Sequence, residues 1–380
     1  MSSNTLFQSP FGELQLLRRP RRPNEVLQAW DAADHYLLKH LAETPPAPGA
    51  QILVVNDRFG SLALALIKAG FQCDSWGDSA VAQLAVNENA QRNDLSPPGL
   101  ITGTDAITAN YDLILYKLPK SHSLMQYQLQ ILTAACESNG EIIGAAMAKH
   151  IDAATINVLN KLVGDARPGL AWKKARLINF PKAPVNSLPE NDAKALEVPE
   201  LGLTLINRAN VFSRGKLDRG SRLLLDCYKR LSLPAKPHIA DLGCGNGLLG
   251  ITALTGWPDA SVHFFDDSFM AIDSATQNVQ RNLPDSAGMT EFTASDCMFN
   301  YQGPSFDLVL CNPPFHQEYD LGDQIARQMF ADSHRQLKPR GQLCVVGNRH
   351  LGYHQILKKR FSHVELIGSD AKFVVLLARR

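Results

Sequence analysis

Two kinds of apolar block alternate along the chain. Compact β-rich runs, Gln51-Ile52-Leu53-Val54-Val55 and His238-Ile239-Ala240-Asp241-Leu242, are each followed by a loop and then by an apolar segment with helical spacing. Further on, Asn89-Ala90-Gln91-Arg92-Asn93 matches Asn278-Val279-Gln280-Arg281-Asn282, and Tyr111-Asp112-Leu113-Ile114-Leu115 matches Phe306-Asp307-Leu308-Val309-Leu310. Gly140-Glu141-Ile142-Ile143-Gly144 stands where Gly341-Gln342-Leu343-Cys344-Val345 stands. The offset runs from 187 residues at the first pair to 201 at the last, as a duplicated domain would give. Strands alternating with helical patterns predict a doubly wound, parallel α/β sheet in each half.

Three stretches interrupt this pattern. Arg18-Arg19-Pro20-Arg21-Arg22-Pro23 reads as a short basic loop. Thr44-Pro45-Pro46-Ala47-Pro48-Gly49 should end a helix running from about Glu25 to Glu43. Pro181 to Glu200, rich in Pro, Asn, Asp, Glu and Ala, reads as a connection between domains. The expected division is a first domain at 1–185, a linker at 186–200 and a second domain at 201–380.

Composition adds exclusions. Of 380 residues, 45% are hydrophobic and 20% charged, which rules out a disordered or collagen-like chain. The net charge of +1 does not announce a nucleic-acid binder, so such a role needs local basic patches. Seven scattered cysteines without a Cys-x-x-Cys pair argue against a disulfide framework or a structural zinc site, and no metal is expected. Met1 to Leu17 has no apolar core behind a basic start, and no apolar run approaches the roughly 20 residues of a membrane span. A cytoplasmic protein is the expectation.

In parallel sheets of this kind the binding crevice lies beyond the carboxyl ends of the strands, so the loops there are the ones to read. The first in the second half is Asp241-Leu242-Gly243-Cys244-Gly245-Asn246-Gly247. Its glycines let a ligand approach the main chain, and the following helix offers its first amides. Gly245 to Gly250 also satisfies the dinucleotide fingerprint, so this loop alone is ambiguous. Asp266-Asp267-Ser268 ends the next strand, where an acid suits a grip on ribose hydroxyls or a serine or acid caps a helix. Asp296 could accept from the amine of an adenine or cap a turn. After Phe306–Cys311 comes Asn312-Pro313-Pro314-Phe315. Two prolines remove two backbone donors, Asn312 offers a carbonyl acceptor, and Phe315 offers a flat face to a planar ring. The group suits a planar NH₂.

These residues together resemble a class I S-adenosylmethionine-dependent methyltransferase of the amino-methylating type, with the Rossmann-like fold that family implies. The duplication, and Val211-Phe212-Ser213-Arg214-Gly215-Lys216-Leu217-Asp218 before the first strand, make the chain similar to the bacterial ribosomal RNA guanine-N2 methyltransferases. The start, Leu6-Phe7-Gln8-Ser9-Pro10-Phe11-Gly12 with Arg18–Arg22, looks closer to the large-subunit members. The resemblance implies S-adenosyl-L-methionine held by Phe212, Asp241, Gly243, Gly245, Gly247, Asp266, Asp267 and Asp296. It implies catalysis at Asn312, Pro313, Pro314 and Phe315, with 23S ribosomal RNA as partner, protein-free or in early assembly. The alternatives are the same chemistry on 16S RNA, or methylation of a protein glutamine by a similar Asn-Pro-Pro-aromatic loop. An internal duplication could replace a second subunit, so a monomer is expected.

The first half departs from the pattern. Asn56, Arg58 and Gly60 replace Gly243, Gly245 and Gly247, and Lys117-Leu118-Pro119-Lys120 replaces the Asn312 tetrapeptide. This half is expected to keep the fold and to have lost catalysis. Arg58, Lys117 and Lys120 would ring its vestigial crevice and, with Arg18, Arg19, Arg21 and Arg22, meet RNA phosphates.

Overall fold

The computed structural model describes residues 5–21, 25–180, 193–314 and 319–380, with the helix backbone alone at 319–323. The chain divides into two compact units, Met1–Asp192 and Ala193–Arg380.

The first unit contains β1 (Leu6–Ser9), β2 (Gly12–Gln15), β3 (Gln51–Val55), β4 (Gln72–Gly77), β5 (Gly99–Thr102), β6 (Tyr111–Lys117), β7 (Cys136–Met147), β8 (Arg167–Trp172) and β9 (Ala175–Asn179). Its helices are α1 (Ala32–Glu43), α2 (Ala63–Lys68), α3 (Ala80–Arg92), α4 (His122–Ala135) and α5 (Ala153–Val163). The second unit repeats the series with β10 (Lys194–Val198), β11 (Leu203–Asn207), β12 (His238–Leu242), β13 (Ser261–Asp266), β14 (Thr290–Ala294), β15 (Phe306–Cys311), β16 (Leu337–Asn348), β17 (His363–Ser369) and β18 (Phe373–Arg379). Its helices are α6 (Arg219–Asp226), α7 (Leu248–Gly256), α8 (Phe269–Asn282), α9 (Tyr319–Gln336) and α10 (Tyr353–Leu357).

The sheets run β5-β4-β3-β6-β7-β9-β8 and β14-β13-β12-β15-β16-β18-β17, the same topology twice. In the second, β14 through β16 are parallel and β18 and β17 add antiparallel. Every paired run matched in the sequence falls on equivalent elements. Successive side chains of a strand face opposite sides, and the cores follow this. Ile239, Leu308 and Cys344 pack under α7 and α8, while Ala240, Val309 and Val345 pack under α9 and α10. Ile52 and Val54 face one core and Leu53 and Val55 the other in the first unit.

Two boundaries differ from expectation. Helix α1 begins at Ala32, not near Glu25, because Asp31 caps it. The Asp31 carboxylate accepts from the amides of Ala33 and Asp34, and Asp34 accepts in return from the Asp31 amide at 2.7 Å. The assigned linker is also too long. Residues 194–198 form β10, paired antiparallel with β11 from Lys194↔Asn207 to Val198↔Leu203. The alternation of this short strand is masked in sequence by its polar neighbours. Residues 186–192 lie outside the described residues.

Each unit carries a separate two-stranded β-hairpin clipped to a helix by two asparagines. Asn89 and Asn93 of the first unit exchange side-chain amide bonds with the backbone of Leu17 and Gln15. Asn278 and Asn282 do the same with Ile206 and Thr204. The repeated Asn-x-Gln-Arg-Asn is therefore a docking device, and its four-residue spacing puts both amides on one helix face.

Candidate active site at the carboxyl ends of the second sheet

Strand order reverses between β12 and β15, whose ends lie side by side at Leu242↔Cys311. A crevice opens at such a switch point. The glycine loop leaves β12 there. Gly243, Gly245 and Gly247 have φ of 74°, 55° and 82°, a region costly for any residue with a Cβ. A Cβ on Gly247 would lie 3.1 Å from that of Ala275, and one on Gly250 would lie 2.2 Å from Phe264. Those two glycines serve packing. A Cβ on Gly245 would meet no atom within 4 Å, so at Gly245 the bare backbone faces open space. This is the surface a cofactor needs.

Asp266 links the loop to β13. One oxygen accepts the Gly245 amide at 2.9 Å and the other the Ser268 amide at 2.9 Å. Burial raises its pKa, and those amide bonds oppose the rise. Each carboxylate oxygen has a second lone pair, which suits ribose hydroxyls. Ser268, not Asp267, caps α8, accepting from Ala271 at 3.1 Å. Asp267 is exposed beside it. Phe212 is 55% exposed on the segment after Asn207, and Asn207 accepts from the Asn246 side chain at 2.9 Å. A large apolar face thus stands on a segment tied to the glycine loop.

Two of the expected ligand acids sit differently. Asp241 is fully buried and braces the loop through one oxygen, while its Oδ1 has no partner among the described residues. It accepts the Gly250 amide at 2.8 Å, and burial pushes its pKa up to about 7, with Asp266 adding to the rise. Asp296 is 5% exposed and accepts from Gln328 of α9 at 2.7 Å, so its carboxylate is already engaged within the fold.

Asn312 follows β15 and is half-buried, with Pro313 buried and Pro314 half-buried behind it. Its Nδ2 donates to Ser221 Oγ at 2.9 Å and to Asp218 Oδ2 at 3.3 Å. A carboxylate accepts only, so this pairing sets which end of the amide is nitrogen. Oδ1 is shielded from solvent and has no partner among the described residues. A buried acceptor left alone costs about 1–3 kcal/mol, and an incoming N–H donor would satisfy it. Phe315 lies outside the described residues. Sequence reading missed Ser221 and the role of Asp218. The available signal was Asp218-Arg219-Gly220-Ser221 ahead of a leucine run, a helix start with Asp218 as cap.

The first unit has the same frame with other chemistry. Asn56 takes φ 62° where Gly243 has 74°, and Gly60 has 85° where Gly247 has 82°. The Asn56 amide donates to the Lys117 carbonyl at 2.8 Å and to Gln128 at 2.9 Å. Side chains occupy the place of the bare backbone. Lys117 is not a free cation of the crevice: its ammonium is enclosed by Asp34 at 2.6 Å and Asp31 at 2.9 Å. Desolvation lowers its pKa, but the two carboxylates more than compensate, and the net direction is up. Arg19 is likewise buried and paired with Glu88, because a lone guanidinium could not be buried there. Arg18 is half-buried, beside Glu25 and over the Phe59 ring. Arg21 is exposed and near Glu88, and Arg22 lies outside the described residues. Arg58 and Lys120 are exposed.

Among the described residues no helix is long and apolar enough to cross a membrane, and no group of three or more His, Cys, Asp or Glu could hold a metal ion.

Both units match known protein families. Residues 4–184 match the family described as RLMG N-terminal domain, and residues 202–377 match the methyltransferase small domain. Ribosomal RNA large subunit methyltransferase G of Aeromonas salmonicida is 40% identical over 378 residues, covering 98% of this chain and 99% of that one. Its counterpart in Photobacterium profundum is 41% identical over 362 residues, covering 95% and 96%. Among solved structures, the T. thermophilus 16S rRNA N2 G1207 methyltransferase in complex with AdoMet and guanosine superposes with a TM-score of 0.75 at 20% identity, over 99% of this chain and 97% of that one. That likeness extends the shared fold across both units. With this identity over nearly its whole length, and with the glycine loop and Asn312 site in place, the chain belongs to the ribosomal RNA large subunit methyltransferase G family.

Proposed function

We propose that this protein methylates the exocyclic N2 amine of a guanine in large-subunit (23S) ribosomal RNA. The observation that carries the reading is Asn312 Oδ1, which has no partner among the described residues and follows the strand end beside the glycine loop. The names of the relatives support the RNA and the subunit.

S-adenosyl-L-methionine supplies an electrophilic methyl group when bound. Gly245 and Asp266 would hold it, the first by open backbone and the second by carboxylate lone pairs, with Phe212 covering an apolar edge. Asn312 Oδ1 accepts one amine N–H of the guanine. That bond fixes the lone-pair direction and favours the positive charge that builds on nitrogen. Pro313 and Pro314 bring no competing N–H to the acceptor face. The amine proton leaves to solvent after transfer, because an N-methylated guanine aminium is strongly acidic. A paired base cannot enter, so the target is unpaired or flipped, with Phe315 as its stacking face.

The first unit, which ends between 180 and 193 in this reading, serves as RNA platform through Arg58 and Lys120. The substrate is protein-free or early-assembly RNA, and the enzyme acts in the cytoplasm as a monomer.

The test is transfer of labelled methyl to separated ribosomal RNAs and subunits from cells lacking this gene, followed by digestion to nucleosides. N2-methylguanosine in large-subunit RNA alone is expected, with Asn312→Ala keeping cofactor affinity and losing most turnover. Label in small-subunit RNA would reverse the subunit, and label in protein alone would replace the nucleobase by a glutamine amide.

A further inference from the structure

The two units present the same three positions at the same place, with different residues. A helix N-cap aspartate, the residue three further on, and the residue at the end of the fourth sheet strand meet in each. In the first unit they are Asp31, Asp34 and Lys117, with the ammonium 2.9 and 2.6 Å from the two carboxylates. In the second they are Asp218, Ser221 and Asn312, with Nδ2 at 3.3 and 2.9 Å. The aspartate cap is constant. The residue three beyond the cap is a carboxylate where it faces an ammonium and a hydroxyl where it faces a neutral amide. Each trio thus carries the same formal charge, one negative, and the cap is the common anchor.

We infer that Asp218 and Ser221 are positioning residues that hold the Asn312 amide by its nitrogen, so that Oδ1 alone is presented to the substrate amine. This rests on the methyl-transfer reading of the site. An amide has two faces of opposite polarity, and a flipped Asn312 would offer N–H donors to an N–H donor. Asp218 forbids the flip, because Asn312 Oδ1 turned toward its carboxylate would set two acceptors against each other. Ser221 is 9% exposed and supplies the shorter of the two bonds, which fixes the amide plane. Asp218 Oδ2 also accepts the Ser221 amide at 2.9 Å, so the cap and the clamp share one oxygen. The site thereby selects a donor nitrogen over an acceptor oxygen as the methyl recipient.

The shared oxygen dictates the variants. Asp218→Ser keeps a good helix cap but is too short to reach Asn312. Asp218→Asn can place an oxygen where Oδ2 stands and keep both bonds. Asp218→Ser combined with Ser221→Ala should lower the single-turnover methylation rate on 23S RNA by on the order of 10- to 100-fold. Cofactor affinity by calorimetry, RNA affinity and melting temperature should stay near wild type, and Asp218→Asn should retain most of the rate. In protein carrying ¹⁵N-asparagine, the Asn312 side-chain NH₂ signals, assigned by their loss in Asn312→Ala, should shift and exchange faster with water in the double variant. Unmoved NH₂ signals would overturn the clamp. Moved signals with an unchanged rate would overturn its role in positioning. A rate loss that tracks lost cofactor affinity or lost folding would make these residues merely structural. Failure of the wild-type protein to methylate RNA would instead remove the RNA reading, and the NH₂ signals would still decide whether the clamp exists.

Discussion

Asn278 donates from its side-chain nitrogen to the carbonyl oxygen of Asn246, 2.9 Å away, and so ties the middle of α8 to the glycine loop. The same amide exchanges two bonds with Ile206 at the end of the hairpin. One buried side chain therefore joins the hairpin, the helix and the loop expected to hold the cofactor. Asn89 makes the matching bond to the Phe59 carbonyl at 2.8 Å in the first unit, where no glycine loop remains. The device is present in both units, including the one without the glycine loop, which marks it as part of the fold.

The pair of asparagines gives a controlled comparison. Asn278→Ala leaves three backbone groups unpaired and should destabilise the second unit by about 1–3 kcal/mol. It should also weaken S-adenosylmethionine binding, because the loop carbonyl at Asn246 loses its tether. Asn89→Ala should cost a similar amount in the first unit and leave cofactor affinity unchanged. Calorimetric melting and cofactor titration of both variants check this. Equal loss of cofactor affinity in the two would refute the link to the loop.

Gly250 packs against strand side chains without a Cβ, and an added one would sit 2.2 Å from Phe264 and 3.1 Å from the Asp241 carboxylate. Gly250→Ala should cost about 1–3 kcal/mol through overpacking. Gly245→Ala fills open space but strains a φ of 55°. Its effect should appear mainly in cofactor affinity, with a smaller change in melting temperature. A larger melting loss at Gly245 than at Gly250 would contradict the division between packing and ligand glycines.

Lys117 neutralises a buried acid. Burial raises the Asp34 pKa to about 6 in spite of the nearby ammonium. Lys117→Ala should destabilise the first unit by about 3–5 kcal/mol at pH 8, since the Asp34 charge is left buried without its partner. Removing the cation raises the Asp34 pKa further. A raised carboxylate pKa means that the folded state holds the proton, so stability is favoured at low pH and is lost as pH rises through the folded pKa. The melting difference between variant and wild type should therefore shrink at pH 5. A difference that is constant from pH 5 to 8 would show that Asp34 is not the group left exposed to the loss.

Of the three cations proposed for the first-unit crevice, Arg58 and Lys120 are exposed, and Lys117 is held in an ion pair. Arg58→Glu with Lys120→Glu should weaken RNA binding and lower the slope of log affinity against log salt by about 2. Binding and slope equal to wild type would place the RNA platform elsewhere.

Much of the architecture was open to reading from one chain of letters, because it depends on local spacing. The paired runs at Gln51 and His238, and at Tyr111 and Phe306, fall on matching strands because alternation and turn residues act over a few positions. The glycine loop was legible for the same reason, since three closely spaced glycines mark a local demand of the backbone. The start of α1 was not, because Asp31 and Asp34 cap each other by a side-chain exchange that periodicity does not register. The strand at Lys194–Val198 was missed because its pairing to Leu203–Asn207, not its composition, makes it a strand.

The chemistry of charged and polar side chains divides differently. That Asn312 offers an acceptor follows from its type and from the prolines after it. Which end of its amide is free depends on Asp218 and Ser221, some ninety residues earlier in the chain and brought to it by the packing of α6 beside the sheet. Lys117 and Arg19 read as phosphate contacts in a list of basic residues, and in the fold each is held in an ion pair. Asp241 reads as a ligand acid and lies wholly inside. Residue type sets what a group can donate, accept or carry. Burial and the partners that folding brings within 3 Å set whether that capacity is already spent, and those partners are distant in sequence.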